Sequence, residues 1–364
     1  MVPSDYITGD HAVGTSTFTL VDSGRTDTLG KGGKRRIPVR LYYPVSKESI
    51  TGANKALALS ERKAKAVMKS TYARRMPDEV LYPEHYDVPM MDKRFPLIML
   101  SHGYDSYVEA HTFLCCDIAS HGYIVASVGH ANEAIFNDYD DGSHDVFDKS
   151  ITKKMYDKNV VSVMFAMSRT KKHKSAREAL AAFDEFQMKY SSYLRDRITE
   201  WAKDIRFAAD TIKARYIDRI DLTHGIGATG HSYGGCAAYY LCRYDDEFSC
   251  GINIDGALFG EYDDTPMTKP FCQISCKANL SFETRPFLGT EADTYQVIFE
   301  DMQHIGFADA KFFCPLRSAC GKLDNDILHS NLAYTHYAFF DRYLKGMDIP
   351  FGREEPKVHY IKIH

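Results

Sequence analysis

The sequence predicts an α/β architecture with a mostly parallel central sheet flanked by helices, and three observations carry that expectation. Residues 95–101 (FPLIMLS) are apolar almost throughout, as a strand covered on both faces must be. A helical stretch at about 108–121 and a second apolar run at 123–128 (YIVASV) follow, the strand–helix–strand order of a parallel pair. Leu194, Ile198, Trp201, Ile205, Ala208 and Ile212 recur at spacings of four and three, which draws one apolar stripe along a helix. The stripe lasts under three heptads, so it reads as a face packed on a sheet rather than a coiled coil.

The remaining elements follow in chain order. Residues 18–21 alternate weakly and residues 36–43 (RIPVRLYY) strongly, with Ile37, Val39 and Leu41 on one face. The turn KGGK at 31–34 joins them, and the basic run 31–36 reads as a solvated hairpin rather than an anion patch. Residues 53–76 carry a helical pattern rich in Ala, Lys and Arg, readable equally as a lid segment or a plain surface helix. Residues 137–148 (NDYDDGSHDVFD) invite comparison with a calcium loop. Tyr139 stands where an oxygen ligand is needed and the last position is Asp rather than Glu, so a flexible acidic loop without metal is expected. The run KKHK at 171–174 reads as a solvated connection.

Short strands are expected at 250–254 (CGINI), 271–275 (FCQIS) and 295–299 (YQVIF), and a closing helix at 331–344 packs through Leu332, Phe339, Phe340 and Leu344. Neither a linker nor an internal repeat divides the chain. One domain over 1–364 is expected, with insertions at about 45–90 and 131–192 as cap or rim segments.

Bulk composition narrows the function. The chain has 364 residues, 44% hydrophobic and 26% charged, ordinary for a globular protein with a sizeable core. A net charge of -4 argues against a nucleic-acid binder. No apolar run approaches the roughly 18 residues of a membrane span. The start MVPSDYITGD shows no signal-peptide pattern, and a cytoplasmic protein is expected. The nine cysteines are scattered without zinc-site spacing and read mostly as reduced, buried residues. No metal or cofactor is expected.

The chemistry centres on residues 226–240 (IGATGHSYGGCAAYY). Residues 230–234 form a G-x-S-x-G motif between small apolar residues and a helix start, the setting in which a strand turns sharply into a helix and thrusts Ser232 above the sheet. An overlapping G-x-G-x-x-G at Gly225, Gly227 and Gly230 is set aside, because the preceding DRIDLTH is too polar for the strand that a dinucleotide site requires. A serine hydroxyl needs a base, and the base needs an orienting acceptor. His304, in the loop 301–306, is the candidate base and Asp255, at a strand end, the candidate acid. Glu283 is the rival acid, but it lies several residues past a strand; His329 and His336 fall on the closing helix. The backbone N–H groups of Tyr104, after the strand 95–101, and of Tyr233 are the candidate oxyanion donors. The order Ser232, Asp255, His304 is that of an α/β-hydrolase.

Several motifs together carry a resemblance: LSHGY (100–104), DIASHGYIVASVGH (117–130), GHSYGG (230–235), NIDGA (253–257) and HIGFAD (304–309). With FTLVDSGRTD (18–27) and VRLYYP (39–44), the chain resembles the platelet-activating factor acetylhydrolase family of the plasma or type II kind, bacterial members especially. The likeness covers nearly the whole chain and is weakest at 45–90 and 131–192. It implies an α/β-hydrolase fold with Ser232 as nucleophile, Asp255 as acid, His304 as base, and Tyr104 and Tyr233 as oxyanion donors. It also implies calcium-independent hydrolysis of short or oxidised acyl esters of phospholipids. Tyr233 stands where plasma members usually carry phenylalanine. The expected function is therefore a serine esterase working through an acyl-enzyme on small-molecule, lipid-like or synthetic esters with short acyl groups. A peptidase or acyltransferase on the same scaffold, or a binding protein that has lost its chemistry, are the rival readings.

Overall fold

In the computed structural model, which describes residues 6–30, 32–54, 56, 59–71, 84–155, 160–170, 175–313 and 317–364, strand β1 (Ala12–Thr26) pairs antiparallel with β2 (Lys34–Val45). Helix α1 (Glu61–Thr71) precedes β3 (Glu84–Tyr86), β4 (Phe95–Ser101), α2 (Thr112–Ser120) and β5 (Ile124–Val128). A small hairpin, β6 (Phe136–Asp138) and β7 (His144–Val146), leads into α3 (Ser150–Lys154), α4 (Val160–Thr170), α5 (Ala176–Tyr190) and α6 (Ser192–Arg215). Next come β8 (Ile220–Asp221), β9 (Ile226–His231), α7 (Tyr233–Tyr244), β10 (Phe248–Ile254), β11 (Phe271–Cys276) and β12 (Thr294–Phe299). The chain closes with α8 (Ala310–Phe313), α9 (Arg317–Cys320), α10 (Asn325–Leu344) and β13 (Val358–Lys362).

The main sheet runs β13-β12-β11-β10-β9-β4-β5-β2-β1-β3. From β5 to β12 every neighbouring pair is parallel, and antiparallel β2 and β13 flank that block. Side chains alternate across the pleat and build two cores. Leu97 and Met99 face the layer formed by α6 and α7, whereas Ile98 and Leu100 face the layer of α2 and α10. All six residues of the α6 stripe are buried. Ile252 of β10, fully buried in the second core, tests how tightly that layer is packed. Ile252→Ala is expected to cost about 2–5 kcal/mol, read as a lower denaturant midpoint at unchanged slope.

Several expectations need correction. The acidic stretch 137–148 is an ordered hairpin, because distant partners engage its carboxylates. Asp140 accepts from Thr19 N (2.9 Å), Asp141 from Arg36 (3.0 Å) and Asp138 from Ser60 (2.6 Å). The helix expected over 53–76 is described only as Glu61–Thr71; residues 72–83, Lys31 and the run 171–174 lie outside the described residues. The closing helix begins at Asn325, six positions early, since the Asp324 carboxylate caps it by accepting from Asp326 N and Ile327 N. The edge strand β13 and helix α5 were not foreseen. Phe183 of α5 packs against Phe259 (5.2 Å) and Phe282 (5.8 Å), so this insertion leans on the loops that follow β10 and β11. Among the described residues no helix is long and apolar enough to cross a membrane. Cys115, Cys116, Cys236, Cys242, Cys250, Cys272 and Cys276 are buried free thiols, and Cys320 is buried.

Candidate active site

Ser232 sits between the end of β9 and the start of α7 with φ 57° and ψ −123°, a conformation that side chains rarely adopt. Its N–H donates to Ile254 O on the neighbouring strand (2.8 Å), which helps to hold the turn. The motif's last glycine is required by contact: a Cβ on Gly234 would lie 2.1 Å from Ser101 O. The strand end of β4 and the helix start of α7 therefore touch through backbone atoms alone.

The structure brings three of the singled-out side chains into one line. Ser232 Oγ lies 2.8 Å from His304 Nε2, and His304 Nδ1 lies 2.7 Å from Asp255 Oδ2. Asp255 is buried at the end of β10, with φ 55°. Its Oδ1 accepts from Cys276 N (2.5 Å), and its Oδ2 accepts from Asn279 Nδ2 (2.8 Å) and the Cys276 thiol (3.3 Å). These donors satisfy both oxygens of a carboxylate that is closed off from bulk water. The His304 side chain is 38% exposed, so the line is open to solvent at the histidine. His304 lies in a short 3-10 turn rather than the open loop expected.

Two supporting residues escape a reading of the sequence. His231 Nε2 lies 2.9 Å from His304 O, tying the histidine turn to the end of β9. Burial, with His304 nearby, holds His231 well below the usual histidine range, so it is a neutral donor. Asn279 follows β11 and folds back onto Asp255; nothing in its surrounding residues marks it beforehand.

The two candidate amides belong to segments that adjoin the serine: Tyr233 follows it directly, and Tyr104 follows Gly103, on which a Cβ would lie 3.0 Å from Ser232 Cβ. Tyr104 lies in the loop after β4, and among the described residues its N–H meets no acceptor, while those of Asp105 and Ser106 are satisfied by Glu133 O (3.1 Å) and Gly103 O (3.2 Å). Tyr233 is the first residue of α7, where an N–H has no intrahelical acceptor. The rings of Tyr104 and Tyr233 meet edge to face at 5.4 Å. The rival acid Glu283 is fully buried beside Asp255, Ser275 and Gln273 and does not reach His304 with a hydrogen bond among the described residues. Burial first, and the Asp255 charge second, push its carboxyl well above the ordinary range, which favours the neutral form. Among the described residues no group of three or more His, Cys, Asp or Glu side chains is placed to hold a metal ion.

Comparison with known proteins gives the family and the fold of the chain. A model of the family described as platelet-activating factor acetylhydrolase, isoform II, matches residues 4–274, a span that includes Tyr104, Ser232 and Asp255 and ends before His304. The platelet-activating factor acetylhydrolase of Cavia porcellus is 23% identical over 357 residues, covering 91% of this chain and 77% of that protein. That of Bos taurus is 27% identical over 181 residues, covering 46% of this chain and 36% of that protein. A ferulic acid esterase from Streptomyces cinnamoneus superposes with a TM-score of 0.74 at 22% identity, covering 99% of each chain, and carries the fold as an α/β-hydrolase.

Proposed function

Because the chain belongs to the platelet-activating factor acetylhydrolase, isoform II, family of ester hydrolases, we propose that Ser232, His304 and Asp255 carry its chemistry through an acyl-enzyme. The observation that carries this reading is the unbroken hydroxyl–imidazole–carboxylate line at 2.8 and 2.7 Å. As Ser232 Oγ bonds to the ester carbonyl carbon, His304 Nε2 takes its proton, and Asp255 accepts from Nδ1–H and stabilises the imidazolium. The carbonyl oxygen becomes an oxyanion between the Tyr104 and Tyr233 N–H groups. Collapse breaks the bond to the leaving alkoxide, which receives the proton from His304. Water then repeats the sequence, releasing the acid and restoring Ser232.

The substrates are carboxylic esters with short acyl groups, phospholipids with a short acyl chain at sn-2 among them. The acetylhydrolase name of the relatives supports that class. The chain is read as a single α/β-hydrolase domain in which the described parts of 45–90 and 131–192 are cap or rim insertions. The buried free thiols of Cys115, Cys116, Cys236, Cys242, Cys250, Cys272 and Cys276 support a reducing compartment such as the cytoplasm.

A fluorophosphonate probe is expected to label Ser232 at neutral pH, and Ser232→Ala to lose labelling and about 10⁶-fold in kcat on p-nitrophenyl acetate. Faster turnover of acetate than of octanoate esters, with amides untouched, is the expected ranking. Amide cleavage at comparable rates would favour a peptidase, and absence of any adduct would overturn the reading.

A further inference from the structure

One residue before the loop that carries His102, Gly103 and Tyr104, a second serine–histidine–aspartate line lies inside the protein. His130 Nε2 is 2.9 Å from Ser101 Oγ, and His130 Nδ1 is 2.9 Å from Asp204 Oδ2. All three residues are fully buried, so no ester reaches this serine. The charge is also already committed. Asp204 meets Arg35 at 2.5 Å and Arg25 at 2.8 Å, and Arg35 reaches on to Asp27 (3.2 Å) and Glu133 (3.3 Å). Burial holds the His130 ring below the usual histidine range, so it is neutral, with Nδ1–H donating to Asp204 and Nε2 accepting from the Ser101 hydroxyl.

What this line touches points to its use. The His130 ring lies flat on Trp201, with centroids 3.6 Å apart and planes 15° apart. Trp201 in turn stacks on Tyr104 (5.6 Å, 16°) and meets Tyr233 edge-on (4.9 Å, 85°). His102 packs edge-on against both His130 (5.4 Å) and Trp201 (5.5 Å). Trp201 and Asp204 are three residues apart on α6, hence on one face of that helix. One buried cluster thus contacts the side chains of both residues whose amides are the candidate oxyanion donors. It also holds the strand end whose carbonyl abuts Gly234.

We propose that His130, Asp204 and Trp201 are positioning residues that set the spacing of the Tyr104 and Tyr233 amides around Ser232. This rests on the acyl-enzyme reading above. A displaced oxyanion donor weakens binding of the tetrahedral species more than binding of the ester. Removing one such donor outright costs about 10²–10³ in kcat, which bounds the effect of displacing it.

The test uses His130→Phe, which keeps a ring on Trp201 and removes both hydrogen bonds, and Ser101→Ala, which removes only the hydroxyl that His130 meets. Active enzyme is counted by fluorophosphonate titration, so loss of folded protein does not enter kcat. For p-nitrophenyl acetate, His130→Phe is expected to lower kcat about ten- to hundredfold with KM changed less than about threefold. A trifluoromethyl ketone, bound as a tetrahedral adduct, is expected to weaken by the same factor. Ser101→Ala is expected to move kcat and ketone affinity in the same direction by a smaller factor, and it decides the matter if His130→Phe does not fold. Unchanged kcat and ketone affinity in the folded variants would overturn the proposal, as would equal losses in KM and ketone affinity. An unlabelled wild-type enzyme would instead refute the acyl-enzyme reading itself.

Discussion

Asp255→Asn is expected to lower kcat about 10⁴-fold, whereas Glu283→Gln is expected to lower it by less than about threefold. The two carboxyls share one buried region, and their partners separate them. Asp255 receives Cys276 N–H, Asn279 and the Cys276 thiol, and it faces His304 Nδ1 at 2.7 Å. An amide there supplies a donor where an acceptor is needed and turns the imidazole to the wrong tautomer. Glu283 makes no hydrogen bond to His304 among the described residues, and burial first and the Asp255 charge second push its carboxyl well above the ordinary range, toward the neutral form. Glutamine is its neutral isostere. The stability of the two proteins should diverge with pH in a fixed direction. Because the folded-state pKa of Glu283 is raised, its stabilising contribution is complete below the unfolded value of about 4.3 and declines as pH rises through the folded one. Glu283→Gln has no such decline, so it should gain on wild type by up to about 1.4 kcal/mol per pH unit above about pH 5. Thermal unfolding of both proteins between pH 5 and 8 measures this. A gain running toward low pH would mean that Glu283 is ionised in the fold, and equal kcat losses would mean that the acid is misassigned.

That pair shows where a sequence is readable and where it is not. Strands such as β4 and β9, the stripe on α6 and the Ser232 turn are local patterns, so periodicity and motif spacing expose them. Ranking Asp255 against Glu283 depended on distance from a strand end, a weak criterion for two carboxyls that fold into one region. The hairpin at 136–146 was illegible because its partners Thr19, Arg36 and Ser60 lie far away in the chain. Strand β13 (VHYIK) is short and half exposed; only its antiparallel register with β12 makes it a strand. Asn279, His231 and the buried Ser101–His130–Asp204 line have no local signature at all. Each is defined by which distant side chain it meets. Residues that act directly on substrate carry backbone constraints that leave a motif, whereas residues that hold them in place need only the right neighbour.

The backbone constraint at the motif's last glycine leads to the second large effect. A methyl group on Gly234 would stand 2.1 Å from Ser101 O and 2.5 Å from His102 O, both backbone atoms that cannot rotate away. Ordinary contact requires well over 3 Å, so Gly234→Ala must push α7 and the end of β4 apart by about 1 Å. Those are the two elements that present the Tyr233 and Tyr104 amides, and the displacement falls between them. Misplacement on that scale costs about 10²-fold in rate, and two donors are affected, so kcat is expected to fall about 10²- to 10³-fold. Overpacking of a closed contact adds about 1–3 kcal/mol of destabilisation. Gly142→Ala supplies the contrast. At φ 77° it strains the backbone at the tip of the acidic hairpin, but nothing lies within 4 Å of the added carbon. That variant should lose about 1 kcal/mol of stability and none of its activity. Rates on p-nitrophenyl acetate and denaturant midpoints for the two variants separate close approach from backbone strain. A Gly234→Ala enzyme as active as wild type would show that backbone contact between strand end and helix start does not set the amide spacing.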